Sequence, residues 1–418
     1  ALRLVEAQLA QQVPGARVLH ALGHHRQAQL LGLAILALGE GIARLLEPKL
    51  SDDTNPITLH DPELAWVPHP NAHSHGVSSE FDIETVSNAL GNYDFRVPPA
   101  PDGKRLSILA LGDSHTAAAA VSTGQAWPKV LQEALVKAGV SAWVHNAGVH
   151  GYSLDQYLVR LRRMAPVVKP RVVIIGFSAA TDFYDVGRTK AGDFVYGSDI
   201  GRVYFALDDK GELVERRELI GKTLSRQEGL TPLLSLSFLR SVLGHLALYR
   251  MFKRSQFAMW LAMRMHTSDE AMWPGLDTAL KVELKGDDKR RFDLAGKLIG
   301  RIADEARAAG AVPVLVHIPY LAQVYDTVWQ SSFGSVPGYD RDLAGKRLGN
   351  IAQRHGLAYV DVDPAMRDYV ARHPGEWVHY PIDAHPNVTG QRLIGDAVFE
   401  VLSACLKKNP ALDPYGCR

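Results

Sequence analysis

Apolar residues follow two alternating patterns along most of the chain. Short, mostly apolar runs are typical of strands buried in a parallel sheet, and they lie at 106–111, 142–146, 171–177, 312–318 and 357–362. Segments with one apolar face predict helices, at 127–139, 154–164, 291–309, 343–355 and 391–406. This alternation predicts an α/β fold, a three-layer α/β/α sandwich with a mostly parallel sheet.

The junction after the first of these strands holds the first candidate for chemistry. The apolar run 106–111 ends at Gly112-Asp113-Ser114 and continues into an alanine-rich segment that favours helix. A serine there would project its hydroxyl from the carboxyl edge of the sheet, where open α/β folds place their sites. It would also lie beside N–H groups at a helix start, which attract negative charge. From these residues alone, Ser114 could equally be a helix N-cap.

The regular alternation is interrupted between residues 183 and 288. This stretch contains a predicted hairpin with a DDKG turn, then apolar helical segments rich in Met, Trp and Phe. We interpret it as an insertion into one domain formed by 104–182 and 289–408. Packing against the core is the favoured role of its helices, and a cap over the site, a membrane surface or a partner are the alternatives. Residues 50–103 are predicted to wrap irregularly on the domain, and 409–418 form a tail.

The N-terminal segment, residues 1–49, contains a candidate membrane helix at 28–46. Its 19 residues would span roughly 28 Å as a helix, close to the thickness of a bilayer core. Glu40 and Arg44 interrupt the apolar run and could pair with each other. A buried helix or a signal-type segment is the alternative. Basic residues precede the segment and acidic residues follow it, which predicts that residues 50–418 lie outside the cytoplasm.

Composition narrows the function classes. The 418 residues include 46 Lys and Arg and 45 Asp and Glu, so a net charge of +1 gives no basic signal for nucleic-acid binding. The two cysteines, Cys405 and Cys417, could form a disulfide in an oxidising compartment or remain thiols. His69, His73 and His75 have no nearby Cys or carboxylate to complete a metal site, so we interpret them as surface residues.

Two further loops carry candidate site residues. Gly148 and Gly151 follow the second strand, where glycine lets the backbone approach a ligand and present its N–H. Asp383 and His385 precede the last helix and are two residues apart, so the carboxylate can orient the imidazole. A nucleophilic serine needs such an oriented base within hydrogen-bond reach. The order Ser114, Asp383, His385 is therefore consistent with a nucleophilic serine.

Together, three sequence blocks resemble the GDSL/SGNH hydrolase superfamily. They are GDS at 112–114, NxGxxG at 146–151 and YPxDxHPNxxG at 380–390. The pattern is most similar to a membrane-anchored bacterial branch that includes alginate O-acetyltransferase-like proteins. The resemblance covers about residues 60–408 and implies an SGNH/flavodoxin-like fold, an N-terminal anchor and an extracytoplasmic, periplasmic domain.

The resemblance also implies roles for individual residues. Ser114 would be the nucleophile, and its own N–H would be one oxyanion donor. Gly151, the last glycine of its block, would give the second donor. His385 would act as general base and acid, and Asp383 would orient it.

One block departs from the family pattern, because Thr181 stands where the superfamily has an Asn that donates to the oxyanion. Losing one such donor typically costs about 2.7–4 kcal/mol. A hydroxyl of Thr181 or Ser178 could donate instead. A side chain from another loop, His150 or His115, could take its place. The third alternative is a weakened site in a protein that works by binding.

His115 itself has two interpretations. We favour an ordinary residue in the first turn of a helix, and the alternative is a position beside the nucleophile that biases its environment.

Two functions remain after these considerations. The first is a serine esterase or O-acyltransferase that forms an acyl-enzyme on Ser114. It would pass the acyl group, expected to be acetyl, to water or a carbohydrate hydroxyl, without a metal or organic cofactor. Its substrates would be acylated carbohydrates, envelope components or small esters. The alternative is a catalytically weakened binding or assembly subunit of a larger complex, tethered to the membrane through 28–46 and contacting a membrane-protein partner.

Overall fold

The structure is a computed structural model that describes most of the chain beyond residue 57. The described residues are 36–42, 44, 58–78, 80–96, 100, 103–189, 201–222, 274–381, 383–413 and 416–417. The chain divides into two compact units, one formed by 1–49 and 228–262 and the other by 50–227 and 263–418.

In the smaller unit, residues 36–42 are helical. Arg44 Nε donates a hydrogen bond to Glu40 Oε1 at 2.8 Å, so these two residues do pair. The rest of the predicted membrane helix, except for residue 44, lies outside the described residues. Among the helices that the structure describes, none is long and apolar enough to cross a membrane.

The larger unit contains strands and helices that alternate along much of the chain. The strands are β1 (Thr58–Asp61), β2 (Ala65–Pro68), β3 (His73–Val77), β4 (Asp82–Val86), β5 (Leu106–Gly112), β6 (Ala142–Asn146), β7 (Val172–Ser178), β8 (Tyr204–Leu207), β9 (Leu213–Arg216), β10 (Val312–Ile318) and β11 (Ala358–Asp361). The helices are α1 (Ser114–Ala117), α2 (Trp127–Lys137), α3 (Leu154–Val168), α4 (Asp182–Asp185), α5 (Pro274–Leu280), α6 (Gly286–Ala308), α7 (Leu321–Val324), α8 (Asp326–Ser332), α9 (Leu343–His355), α10 (Asp363–Arg372) and α11 (Val388–Lys408).

A five-stranded parallel sheet in the order β11, β10, β7, β5, β6 forms the centre of this unit and confirms the predicted fold class. Every residue of β7 and β10 is buried. This is the reason for their nearly continuous apolar sequences, because helices cover both faces of such a sheet.

The path of the chain creates a crevice at the carboxyl edge of the sheet. The step from β5 to β6 runs toward one side, and the step from β6 to β7 crosses back past β5. Because such crossovers are right-handed, α2 and α3 lie on opposite faces. Helix α2 packs with α11, and α3 packs with α6, so each face carries a helical layer. The reversal of direction places the crevice between β5 and β7.

The helix that begins at Ser114 is much shorter than the alanine-rich sequence predicted. Helix α1 ends after one turn because Ala118 adopts a left-handed conformation, with φ 64°. The next long helix begins only at Trp127, with Pro128 in its first turn. The predicted helix start at Ser114 is confirmed, but the helix does not continue through the alanine-rich segment.

Glycines let α1 lie directly against the ends of the strands. A Cβ on Gly112 or Gly176 would lie 2.0 or 2.3 Å from Thr116 Oγ1, and a Cβ on Gly148 would lie 2.5 Å from the backbone of α1. Only glycine leaves this space. The close contact holds Ser114 over the crevice between β5 and β7.

The described parts of the insertion include a hairpin. Strands β8 and β9 pair antiparallel, and the Asp208 N–H donates to the Glu212 carbonyl, which confirms the predicted hairpin and its DDKG turn. The apolar segments that follow lie outside the described residues. At the other end of the chain, Cys405 and Cys417 form a disulfide that ties α11 to the tail.

The histidines of the N-terminal segment lie on or next to β3. His75 contacts Asp82 at 2.5 Å across the β3–β4 hairpin, so the expectation that no carboxylate lies near these histidines is wrong for His75. Within the described ranges, no group of three His, Cys, Asp or Glu side chains could hold a metal ion.

Candidate active site

Ser114, His385 and Asp383 form a continuous hydrogen-bonded chain at the carboxyl edge of the sheet. Ser114 Oγ lies 2.7 Å from His385 Nε2, although 271 residues separate them in sequence. His385 Nδ1 lies 2.6 Å from Asp383 Oδ1. Because ionised Asp383 can only accept, Nδ1 carries the proton and Nε2 is left to accept from the serine hydroxyl. This is the geometry of a serine nucleophile with an oriented base.

The loop that carries Asp383 and His385 is fixed by its own backbone. Tyr380 N–H donates to the His385 carbonyl, and Ala384 N–H donates to the Tyr380 carbonyl. Ala384 has φ 72°, a left-handed conformation. It lets the side chains on either side of it, those of Asp383 and His385, turn toward each other. Asn387 then caps α11 by accepting from Gly390 N–H at 3.0 Å.

Asp383 is held in its ionised form. Burial raises the pKa of its carboxyl group, but the hydrogen bond and charge of His385 outweigh burial and lower the pKa below its usual range. The carboxylate is thus available to stabilise the imidazolium that would form when His385 takes a proton.

Two backbone N–H groups, one just after β5 and one in the loop after β6, have no acceptor among the described residues. They belong to Ser114 and Gly151. Gly151 is exposed and has φ 72°, a conformation that favours glycine. Both groups were predicted as oxyanion donors, and both remain available to bind a negative oxygen.

The loop around Gly151 is supported by the N-terminal segment. Trp66 Nε1 donates to the His150 carbonyl at 3.0 Å, and the Tyr152 hydroxyl donates to the Trp66 carbonyl at 2.5 Å. The indole and phenol rings also pack edge to face. The segment before the sheet therefore fixes one wall of the site.

Thr181 does not supply the missing oxyanion donor. Its hydroxyl donates to Asp113 Oδ2 at 2.6 Å, so its single proton is already used. Ser178 is buried at the end of β7, and its backbone N–H donates to Asp182 Oδ2. For the alternative in which the Thr181 hydroxyl donates to the oxyanion, this bond to Asp113 would have to break.

His115 lies beside the triad and is more than an ordinary residue of the first turn. Its Nδ1 lies 3.1 Å from Asp113 Oδ2, and its ring centroid lies 4.8 Å from that of His385. Burial raises the pKa of Asp113, but the charge and hydrogen bonds of His115 and the Thr181 hydroxyl lower it below the usual range. A second, buried Asp–His pair therefore lies next to the first.

Two more histidines near the triad stay uncharged at neutral pH. Burial, and then the neighbouring His385, lower the pKa of His150 to about 4. Burial lowers the pKa of His379 to about 3, and this ring contacts the Pro319 carbonyl. Their neutrality avoids repulsion with a protonated His385.

Glu80 and Phe81, between β3 and β4, were missed by the sequence analysis. Glu80 Oε2 accepts from the Asp383 N–H at 2.7 Å, and the Phe81 ring lies 5.3 Å from that of Tyr380. About 300 residues separate the two sides of this contact, so no local pattern could have shown it. The hairpin supports the loop that orients the base.

Comparisons with known proteins do not assign this chain to a family. No protein-family model matches the sequence, and no curated protein is similar to it. Among solved structures it is similar to TesA, with 16% sequence identity, 71% of this chain and 98% of that chain covered, and a TM-score of 0.34. It is also similar to the psychrotrophic esterase EstA from Pseudoalteromonas sp. (13% identity, 72% and 99% covered, TM-score 0.35) and to the acetyl xylan esterase AlAXEase (12%, 71% and 99%, TM-score 0.37). These TM-scores are too low for any of them to identify the function of this chain.

Proposed function

We propose that the protein is a serine esterase or O-acyltransferase of the GDSL/SGNH type, with Ser114 as nucleophile. The 2.7 Å contact between Ser114 Oγ and His385 Nε2 is the observation that supports this most. In acyl transfer, an imidazole that is hydrogen-bonded to an ionised carboxylate can take the proton of a serine hydroxyl and so activate it as a nucleophile.

In the proposed reaction, Ser114 Oγ attacks the ester carbonyl carbon while its proton passes to His385 Nε2. The negative oxygen that forms is bound by the N–H groups of Ser114 and Gly151. When the tetrahedral intermediate collapses, His385 returns the proton to the departing alkoxide and the acyl group stays on the serine. A water or sugar hydroxyl then attacks the acyl-enzyme with His385 as base, which releases the product and restores Ser114.

The oxyanion site in this proposal relies on two backbone donors. Thr181 uses its proton on Asp113, so no side-chain donor is taken from that position. Absence of one donor typically costs about 10²–10³ in rate. We therefore expect a slow enzyme rather than an inactive one.

The substrate and location form part of the proposal. We propose acetyl esters of carbohydrates or envelope components as substrates, in a periplasmic domain anchored through 28–46, as the resemblance to the membrane-anchored branch implies. The disulfide between Cys405 and Cys417 supports an oxidising compartment.

A binding or assembly subunit is the second candidate, and the engagement of Thr181 with Asp113 favours it. The enzyme and the binding subunit are distinguished by incubating the protein with p-nitrophenyl acetate and acetylated oligosaccharides, with and without an unacetylated acceptor. Mass spectrometry would follow acetyl groups on Ser114 and on the acceptor. Turnover that disappears in Ser114→Ala supports the enzyme, whereas a folded protein with neither turnover nor an acyl-enzyme supports the binding subunit.

A further inference from the structure

The site contains two Asp–His pairs with the same spacing, and the proposed reaction uses only one. Asp113 and His115 flank Ser114, just as Asp383 and His385 flank Ala384. The rings of the two histidines lie 4.8 Å apart and are tilted by 44°. The unused pair therefore contacts the very ring that would accept the serine proton.

The unused pair is held in one geometry by several contacts. Asp113 Oδ1 accepts from the His115 backbone N–H at 2.8 Å, and His115 Nδ1 lies 3.1 and 3.2 Å from the two carboxylate oxygens. Thr181 donates to Oδ2 of the same carboxylate. Gln391, on α11, donates to the His115 carbonyl at 3.2 Å. The His115 side chain is only 5% exposed, so its ring cannot turn freely.

His385 is less constrained. Its side chain is 23% exposed and lies on a loop, and Asp383, which orients it, is 32% exposed. Apart from the bond to Ser114, one hydrogen bond through Nδ1 holds the ring, and that bond sets the tautomer but leaves the ring able to tilt. A fixed ring against its side restricts this tilt.

We propose that His115 is a positioning residue that keeps His385 Nε2 directed at Ser114, and that Asp113 and Thr181 hold His115 for this purpose. The inference rests on the proposed function of Ser114 and His385. It gives a physical reason for the family departure, because a hydroxyl at position 181 bonds the carboxylate that fixes His115. Its role is indirect, since His115 acts through His385 and does not contact the reacting atoms.

The decisive variant is His115→Asn. An Asn amide can donate to Asp113 as His115 Nδ1 does, but it lacks the distal part of the ring that contacts His385. We expect kcat on p-nitrophenyl acetate to fall about 10- to 100-fold, because small misplacements of a catalytic group have effects of this size. KM should stay within about twofold of the wild-type value, since substrate binding is not altered.

Two further variants and a control separate this role from folding. Thr181→Val keeps the His115 ring and removes one bond to Asp113, so kcat should fall only about threefold. His115→Phe keeps a ring against His385 but loses the bond to Asp113, so its kcat should be lower than that of the wild type and higher than that of His115→Asn. His60→Asn changes an exposed histidine elsewhere and should match the wild type. A folded His115→Asn with kcat within about twofold of wild type would overturn the proposal.

A readout independent of turnover decides the same question. In protein labelled with ¹⁵N-histidine, the Nδ1–H of His385 is assigned by its loss in His385→Gln. We expect its exchange with water to rise at least about tenfold in His115→Asn, and unchanged exchange would contradict the positioning role. If the wild type turns over no ester, the proposed function fails, and the exchange measurement still decides the role of His115.

Discussion

Asp113 and His115 are separated by one residue, as are Asp383 and His385, and in both pairs the imidazole Nδ1 faces the carboxylate. The first pair is almost completely buried, with side-chain exposures of 2% and 5%, whereas the second is 32% and 23% exposed. Only the second directs its other ring nitrogen at Ser114. Spacing alone therefore does not make a catalytic pair. In the proposed reaction, the greater solvent exposure of His385 and the bond of its Nε2 to Ser114 distinguish the base from the histidine that positions it.

Replacing the two carboxylates should give the largest difference between the pairs. We expect Asp383→Asn to lower kcat/KM about 10³- to 10⁴-fold. An amide would stabilise the wrong tautomer of His385 and, being uncharged, would not stabilise its imidazolium form. Asp113→Asn should lower it about 10- to 100-fold and should destabilise the fold by about 1–3 kcal/mol, since a buried charged hydrogen-bond network is weakened.

Steady-state kinetics and urea unfolding of both variants measure these effects. If Asp113→Asn proves the slower enzyme while remaining as stable as the wild type, the assignment of the two pairs is reversed.

Gly151→Ala should have the next largest effect. The residue has φ 72°, which alanine adopts at a cost of about 1–2 kcal/mol, so its N–H should shift away from the oxyanion. We expect kcat to fall about 10- to 100-fold with little change in KM. Gly139→Ala is the matched control for backbone strain, because Gly139 also has a positive φ and an added Cβ there would meet no other atom within 4 Å. An equal loss of activity in both variants would argue against an oxyanion role for Gly151.

Glu80→Ala tests the support of the exposed pair from the β3–β4 hairpin. Its carboxylate accepts from the Asp383 N–H, and without it the loop should hold Asp383 less firmly. We expect kcat to fall about threefold to tenfold, in line with the loss of one ordinary hydrogen bond, about 0.5–1.5 kcal/mol. Glu84→Ala on strand β4, exposed on the same hairpin, serves as the control. Identical kinetics of Glu80→Ala and the wild type would show that the hairpin does not support the pair.

His379→Gln should have the smallest effect on the rate at neutral pH, because its buried ring is uncharged there. Its effect should be on acid stability. The unfolded chain has a histidine pKa of about 6.5, whereas burial lowers the pKa of His379 to about 3. Protons therefore bind the unfolded state preferentially as pH falls below 6.5, and the folded state loses about 2 kcal/mol by pH 5 from this residue.

Urea unfolding at pH 7 and pH 5 checks this sign. The difference in free energy of unfolding between the two pH values should shrink in His379→Gln and not in the exposed-site control His60→Gln. An unchanged difference in His379→Gln would contradict the assignment of a neutral buried ring.

Much of the fold could be predicted from the sequence because strands buried in a parallel sheet have nearly continuous apolar sequences. Strands 142–146 and 312–318 and helix 343–355 have the predicted bounds. The helix start at Ser114 was predicted, but its end after one turn was not, because alanine propensity is a weak preference that the left-handed Ala118 overrides.

The site was predictable only where one short segment carries the relevant chemistry. Asp383 and His385 stand two residues apart, and Ser114 begins a helix directly after a strand, so local patterns named all three. The contact of Glu80 with Asp383 and that of Thr181 with Asp113 join residues that are distant in sequence. His115 could be named as a neighbour of the serine, but its contact with His385 depends on how α11 returns to the sheet.

Reaction with a fluorophosphonate tests the central claim most directly, because the reagent labels a serine only where a base activates it and an oxyanion site binds its oxygen. The account predicts one label per chain, located on Ser114 by peptide mass spectrometry. The label should be absent in Ser114→Ala, and labelling should be much slower in His385→Gln. A folded wild-type protein that takes up no label, or a label that persists in Ser114→Ala, would contradict the account.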